Sequence, residues 1–149
     1  RRQLREAIAR YAADVPVVET MHRPVGLVNG DRQTGPLERL QGRPVAAFCG
    51  LGNPGAFRRT LTDLGAAVAA FRTFPDHHPY TRSDVDDLRT WARQQARDCL
   101  VVTTQKDLVK LRLARLADKE LWALRIRLLV GAGQDVLDRQ LRQVLGTKS

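Results

Sequence analysis

Apolar and polar positions fall into two regimes that meet near residue 43. Ahead of that point, residues 2–13 (RQLREAIARYAA) place Leu4, Ile8 and Tyr11 on one stripe with Ala7 and Ala12 beside it, the period of a short amphipathic helix. Residues 15–32 alternate apolar and polar positions and carry Pro24, which suits an exposed edge strand or ribbon because proline has no N–H to give a central ladder. Asn29-Gly30-Asp31 is a turn signal. Gln33 to Gly42 reads as a connector with a short helical turn through Leu37 to Leu40.

From Pro44 the pattern becomes regular. Val45 to Cys49 is a continuous apolar run, expected of a strand buried on both faces, and Phe57, Leu61 and Leu64 then form a helical stripe ended by Gly65. Ala66 to Phe71 is the next strand. The segment SDVDDLRTWARQQAR predicts a helix with Ser83 and Asp86 as its capping box and Val85, Leu88, Trp91 or Ala92, and Ala96 on its buried side. Cys99 to Thr103 is a third strand, running into a short helix with Leu108 and Leu111 inward. Leu121 to Val130 alternates, which predicts a strand with one wet face near a sheet edge, and residues 134–145 predict a last amphipathic helix through Val136, Leu137, Leu141 and Leu145. Strands alternating with helices at this spacing imply an α/β fold, a mostly parallel sheet with helices on both faces. Ligands of such sheets collect at the carboxyl ends of the strands. GLGNPG, FPDHHPYT and TTQKD each follow a strand and so share one expected rim.

Composition changes this picture little. The chain has 149 residues, 43% hydrophobic and 28% charged, a globular mix and not a disordered one. A net charge of +9 suggests an anionic partner, but residues 1–75 contribute +5 and residues 76–149 contribute +4, so there is no basic tail or block. A basic RNA-interacting domain is the runner-up reading of this charge; aromatic residues make up 5%, few for a surface that stacks single-stranded bases, and no nucleic-acid partner is expected. Cys49 and Cys99 lack metal-ligand spacing and read as buried thiols. No apolar run approaches the roughly 18 residues of a membrane span. Arg1 is not an initiator Met, and the expectation is a soluble piece of a longer protein.

The three rim motifs carry the candidate chemistry. In GLGNPG, Asn53 is an N-cap candidate and Pro54 a favourable first helical residue; the functional alternative is an anion held at this helix start. The spacing of Gly50, Gly52 and Gly55 also fits a dinucleotide-binding turn. Arg72 and Thr73 stand where an acid should hold the ribose, which disfavours that reading. GLGNPG also opens peptidyl-tRNA hydrolases, but the histidine that family carries shortly after it is replaced here by the Leu61-Thr62-Asp63 run. In FPDHHPYT, His77 and His78 beside Asp76 suit acid-base work or substrate contact, with structural packing as the alternative and no metal site expected. In TTQKDLVK, Thr104 lies at the strand end, Lys106 offers a point charge to a phosphate, and Asp107 either anchors backbone or pairs with Lys106.

GLGNPGAFRRTL, FPDHHPYT and TTQKDLVKL, in this order and preceded by HRPVGLVNG, resemble the C-terminal half of the tetraacyldisaccharide 4′-kinases, the lipid A 4′-kinases. The resemblance implies a P-loop-kinase-related C-terminal lobe at residues 44–149, an interlobe ribbon and connector at 15–43, and at 1–14 a helix from the preceding lobe. It further implies a whole protein that uses ATP and Mg²⁺ to phosphorylate a lipid disaccharide at the cytoplasmic face of the inner membrane, meeting the membrane surface through its full length. The resemblance maps the Asp-His element to Asp76 and His77 as catalytic residues, with the histidine pairing with an acid from the other lobe to activate the sugar hydroxyl. Asn53, His78, Thr104, Lys106 and Asp107 are expected near substrate or phosphate, and Gln105 stands where the family has Glu. No G-x-x-x-x-G-K-[ST] occurs in the sequence, so ATP and Mg²⁺ are expected mainly on an N-terminal lobe outside this chain, and the chain alone is expected to be inactive.

Overall fold

A computed structural model describes residues 2–11 and 17–146. Expectations that fall on 12–16, Ala12 among them, lie outside the described residues. The chain divides into two compact units, residues 24–127 and, separately, 1–23 with 128–149.

The larger unit is built on strand β3, Pro44–Cys49, every residue of which from Val45 onward is fully buried. Helix α2 (Pro54–Asp63) follows it, then strand β4 (Ala67–Thr73), helix α3 (Arg82–Arg93), strand β5 (Leu100–Thr104), helix α4 (Gln105–Leu111), the short strand β6 (Arg115–Leu116) and the long strand β7 (Lys119–Val130). Ahead of them, strand β1 (Thr20–Asn29) and the two-residue β2 (Thr34–Gly35) form an antiparallel ribbon, and a 3-10 turn covers Leu37–Leu40. The sheet order is β2-β1-β7-β5-β3-β4, and β3 runs parallel to both β4 and β5, as β5 does to β7. This is the mostly parallel α/β sheet expected.

Alternation along β3 divides the core in two. Val45, Ala47 and Cys49 face one layer with Phe57 and Leu61 of α2. Ala46 and Phe48 face the other, with Leu88, Trp91 and Ala92 of α3 and Leu108 and Leu111 of α4. A strand covered on both faces buries every side chain, which is why this run is continuously apolar. Phe48 is the largest fully buried side chain and meets Phe74, Tyr80 and Trp91 edge-on at 6.3 Å each.

The chain turns from β3 outward to β4 and then returns to the other side of β3 to lay down β5. The topological switch point therefore lies between β3 and β5, where parallel α/β sheets open a crevice at their carboxyl ends.

Several expectations are corrected. The capping box of α3 is Thr81 with Asp84, two residues ahead of Ser83 with Asp86. Both pairs have the required spacing, but the Asp84 carboxylate also takes bonds from Thr81 and His78, so the earlier start wins. The same helix ends at Arg93, which leaves Ala96 exposed. Strand β7 is no edge: it lies between β1 and β5, and Leu121 to Leu124 are buried along the stretch that pairs with Val101 to Thr104. Beyond that pairing its residues are half-buried or exposed, which produces the alternation seen in the sequence.

In the smaller unit, helix α1 covers Arg2–Tyr11 and helix α5 covers Gln134–Leu145. Tyr11 is exposed, and α5 has no buried residue, though Ile8, Val136 and Leu137 are half-buried. No helix among the described residues is long and apolar enough to cross a membrane.

Phe48→Ala should cost about 3–5 kcal/mol of folding free energy, read as a shift of the urea midpoint, because its ring joins β3 to both α3 and the loop after β4.

Candidate functional site

Three loops leave the carboxyl ends of β3, β4 and β5, and their side chains meet. The first, after β3, is the glycine turn. Asn53 caps α2, its Oδ1 accepting from the N–H of Ala56 at 3.1 Å, and Pro54 opens the helix. The capping reading of Asn53 is therefore the observed one. A Cβ on Gly52 would stand 3.5 Å from Asp76 Oδ2, so a carboxylate already overhangs the turn where an anion was considered. Gly50 is crowded as well: a Cβ there would meet Pro75 O at 3.1 Å, Asp107 Oδ1 at 3.2 Å and the Tyr80 hydroxyl at 3.5 Å. Glycine lets all three loops close on one point.

The third loop supplies the anchor. Asp107, in the first turn of α4, has no exposed surface, and its Oδ2 accepts from the Gly50 N–H at 3.0 Å and from Thr104 Oγ1 at 2.6 Å. Thr104 in return caps α4, accepting from the Asp107 N–H. Of the two roles open to Asp107 in the sequence, it takes the backbone anchor. Lys106 points the other way and pairs with Asp76 Oδ1 at 2.7 Å. One turn further along the same helix, Lys110 donates to the carbonyl of His78 at 2.9 Å. The i, i+4 spacing of the two lysines thus clamps the Asp-His loop to α4.

Within that loop the two histidines separate. His78 lies between Phe74 and Tyr80, at centroid distances of 4.9 and 5.1 Å, and its Nε2 contacts Asp84 at 3.0 Å. It packs the loop. His77 adopts a left-handed conformation at φ 61°, and its side chain is 79% exposed. Its ring makes no hydrogen bond among the described residues, and Nε2 stands 3.9 Å from Asp76 Oδ2. A non-glycine residue held at positive φ is strained, a condition that persists only where the surroundings enforce it.

Electrostatics follow from these contacts. The hydrogen bond from Lys106, with that from the His77 N–H, holds the Asp76 carboxyl below its ordinary range. The Thr81 hydroxyl, the Thr81 N–H and His78 hold Asp84 down at about 2. Burial, with the nearby charge of Asp107, pushes the Cys49 thiol up to about 11, so it rests as an inert thiol. The Tyr80 phenol is raised by burial and by Asp107.

Sequence reasoning placed Asp76, His77, His78, Asn53, Thr104, Lys106 and Asp107 on one rim, and they are there. It gave no site role to Tyr80 or to Asp84, the latter read only as a first-turn acid of its helix; the signals are an aromatic inside a polar loop and an acid three residues after Thr81. Gln105, in the position of the family's Glu, accepts from the Ile126 N–H at 3.2 Å. It carries the β5–β7 ladder one step past the strand end, a bond that a carboxylate could also accept.

The strand order and its rim define a lobe of the mostly parallel α/β class, with its site at the switch point between β3 and β5. Among solved structures, one of the "apo" form of LpxK from Aquifex aeolicus in complex with ATP matches with a TM-score of 0.57 and 28% identity, over 87% of this chain and 36% of that one. The tetraacyldisaccharide 4′-kinase of an Anaeromyxobacter species is 44% identical over 141 residues, 93% of this chain and 37% of that protein. The enzyme of the same name from Nitrobacter hamburgensis is 54% identical over 73 residues, 49% of this chain and 21% of that protein. The family described as Tetraacyldisaccharide-1-P 4′-kinase matches residues 1–146, and the chain belongs to it. The chain spans little more than a third of the length of the curated relatives it matches. Family membership displaces the dinucleotide and peptidyl-tRNA hydrolase readings of the glycine turn.

The folded-state pKa of Asp84 is depressed from 3.8 to about 2, so the stability it contributes is complete above the unfolded value and is lost as pH falls through the folded one. Asp84→Asn should therefore flatten the acid limb of stability: its urea midpoint falls less than the parent's between about pH 5 and about pH 2.

Proposed function

We propose that this chain is the C-terminal lobe of a lipid kinase that transfers the γ-phosphate of ATP to the 4′-hydroxyl of a tetraacyldisaccharide 1-phosphate. The reaction belongs to lipid A and lipopolysaccharide biosynthesis, and the whole protein works at the cytoplasmic face of the inner membrane. The names of the relatives support the reaction class, and the ATP complex of the Aquifex aeolicus structure supports the donor. In this reading residues 15–43 are an interlobe ribbon and connector, residues 1–14 a helix belonging to the preceding lobe, and residues 44–149 the C-terminal lobe.

The observation that carries the reading is His77, an exposed imidazole with no hydrogen bond to its ring among the described residues, raised beside Asp76 from a loop clamped by Lys106 and Lys110. In the proposed mechanism His77 takes the proton of the 4′-hydroxyl as that oxygen becomes the nucleophile. Asp76 is a poor proton acceptor, because Lys106 holds it ionised. Its role is a fixed carboxylate that stands 3.9 Å from Nε2 of His77 and receives the His77 N–H. Thr104, Asp107, Asn53 and His78 maintain the rim, and Lys106 keeps Asp76 in place.

ATP and Mg²⁺ do not fit the residues present. The sequence has no phosphate-binding G-x-x-x-x-G-K-[ST] loop. Among the described residues no group of three or more His, Cys, Asp and Glu could hold a metal ion. We assign both to the N-terminal lobe, within the part of the relatives' length that this chain does not span.

Two outcomes test the reading. The chain by itself should neither bind ATP tightly nor turn it over, checked by calorimetric titration and phosphate release; turnover by the chain alone would remove the nucleotide site from the other lobe. In the family-length protein, His77→Ala should lower kcat by about 10²–10⁴-fold with an unchanged circular dichroism spectrum. Turnover of the lipid acceptor at the parent rate would take His77 out of the mechanism.

A further inference from the structure

Among the described residues, two buried polar atoms at the rim have no hydrogen-bond partner: the Tyr80 hydroxyl and Asp107 Oδ1. They are complementary, a donor with no acceptor and a carboxylate oxygen with no donor, and both lie against the same point beside Gly50. The other oxygen of Asp107 is already occupied by the Gly50 N–H and the Thr104 hydroxyl. A carboxylate without any exposed surface needs its remaining lone pairs satisfied, and the neighbouring phenol is the group able to do so.

Tyr80 is also tied into the loop that bears His77. Its ring packs on Phe74 at 5.0 Å, on His78 at 5.1 Å and on Phe48 at 6.3 Å. Like His77, it is held at a positive φ, 45° against 61°, with Pro79 between it and His78. A loop with two left-handed non-glycine residues within four positions relaxes unless both of its ends are fixed. The Lys106 and Lys110 contacts fix the side that faces α4. The core side is fixed through Tyr80.

We propose that Tyr80 is a positioning residue: its hydroxyl closes on the free oxygen of Asp107 and so locks the His77 loop to the glycine turn at the switch point between β3 and β5. His77 then stands out of the loop with its ring ready for the acceptor hydroxyl. This rests on the functional reading above for what His77 does, though not for how the loop is held.

The test compares Tyr80→Phe, which keeps the ring and removes the hydroxyl, with His77→Ala in the family-length protein supplied with ATP and the lipid acceptor. Tyr80→Phe should lower kcat by about tenfold to a hundredfold while the KM for the lipid stays at the parent value, and the thermal midpoint should fall because the free oxygen of Asp107 loses its donor. In the present chain it should also speed hydrogen exchange at the amides of His77 and His78, which bond to Asp76 Oδ1 and Pro75 O. If Tyr80→Phe does not fold, the parent chain carries the test by NMR: a slowly exchanging Tyr80 hydroxyl proton is expected, and one that exchanges freely with solvent overturns the lock. An impaired His77→Ala beside a Tyr80→Phe of parent kcat overturns the role of Tyr80 and leaves the functional reading standing. A His77→Ala of parent activity overturns the functional reading; unchanged exchange at His77 and His78 in Tyr80→Phe then overturns the lock as well.

Discussion

One buried carboxylate organises the rim. Asp107 sits where β3 and β5 part, and by taking the Gly50 N–H on one oxygen it ties the turn after the central strand to the helix after its neighbour. A charge without exposed surface is costly unless its hydrogen bonds are made, so its presence there dictates what surrounds it. It needs a glycine that lets backbone approach, a threonine that donates and caps, and a phenol close by. Those demands fall on Gly50, Thr104 and Tyr80, one from each of the three loops. The loops converge because they share this anion as well as because they leave the same edge of a parallel sheet.

Around that centre, α4 acts as a two-faced element. Its inward side gives Asp107, Leu108 and Leu111 to the anchor and the core, and its outward side gives Lys106 and Lys110 to the Asp-His loop. A helix of seven residues is too short to be stable from propensity alone. Its order comes from these tertiary bonds on both sides. The same division separates the two histidines, one sandwiched between rings as packing and the other strained outward with little but Asp76 near it.

Much of this was legible in the sequence because the signals are local. The apolar run at Val45–Cys49 can only be a doubly covered strand, and the Asn53-Pro54 pair can hardly be other than a helix start. Other features are set by neighbours that no short window contains. Thr81 rather than Ser83 caps α3 because Asp84 is also claimed by His78, a contact that depends on how the loop folds back. β7 reads as an edge strand because its exposed half alternates, while its position between β1 and β5 is a matter of topology. The separation of His77 from His78 was invisible for the same reason: adjacent identical residues differ only through the rings and lysines brought from elsewhere.

The glutamine at position 105 now has a physical meaning. Its amide oxygen extends the β5–β7 ladder to Ile126, and an amide has no proton to gain over the range in which carboxylates titrate. Two of the contacts that hold the Asp-His loop, by contrast, run through Asp76 and Asp84, whose carboxylates must stay ionised to keep them. The rim is thus fastened by two kinds of joint. As acidity rises, the charged joints slacken in turn while the neutral one stays fast, so the histidine loop lets go before the seam of the sheet beneath it.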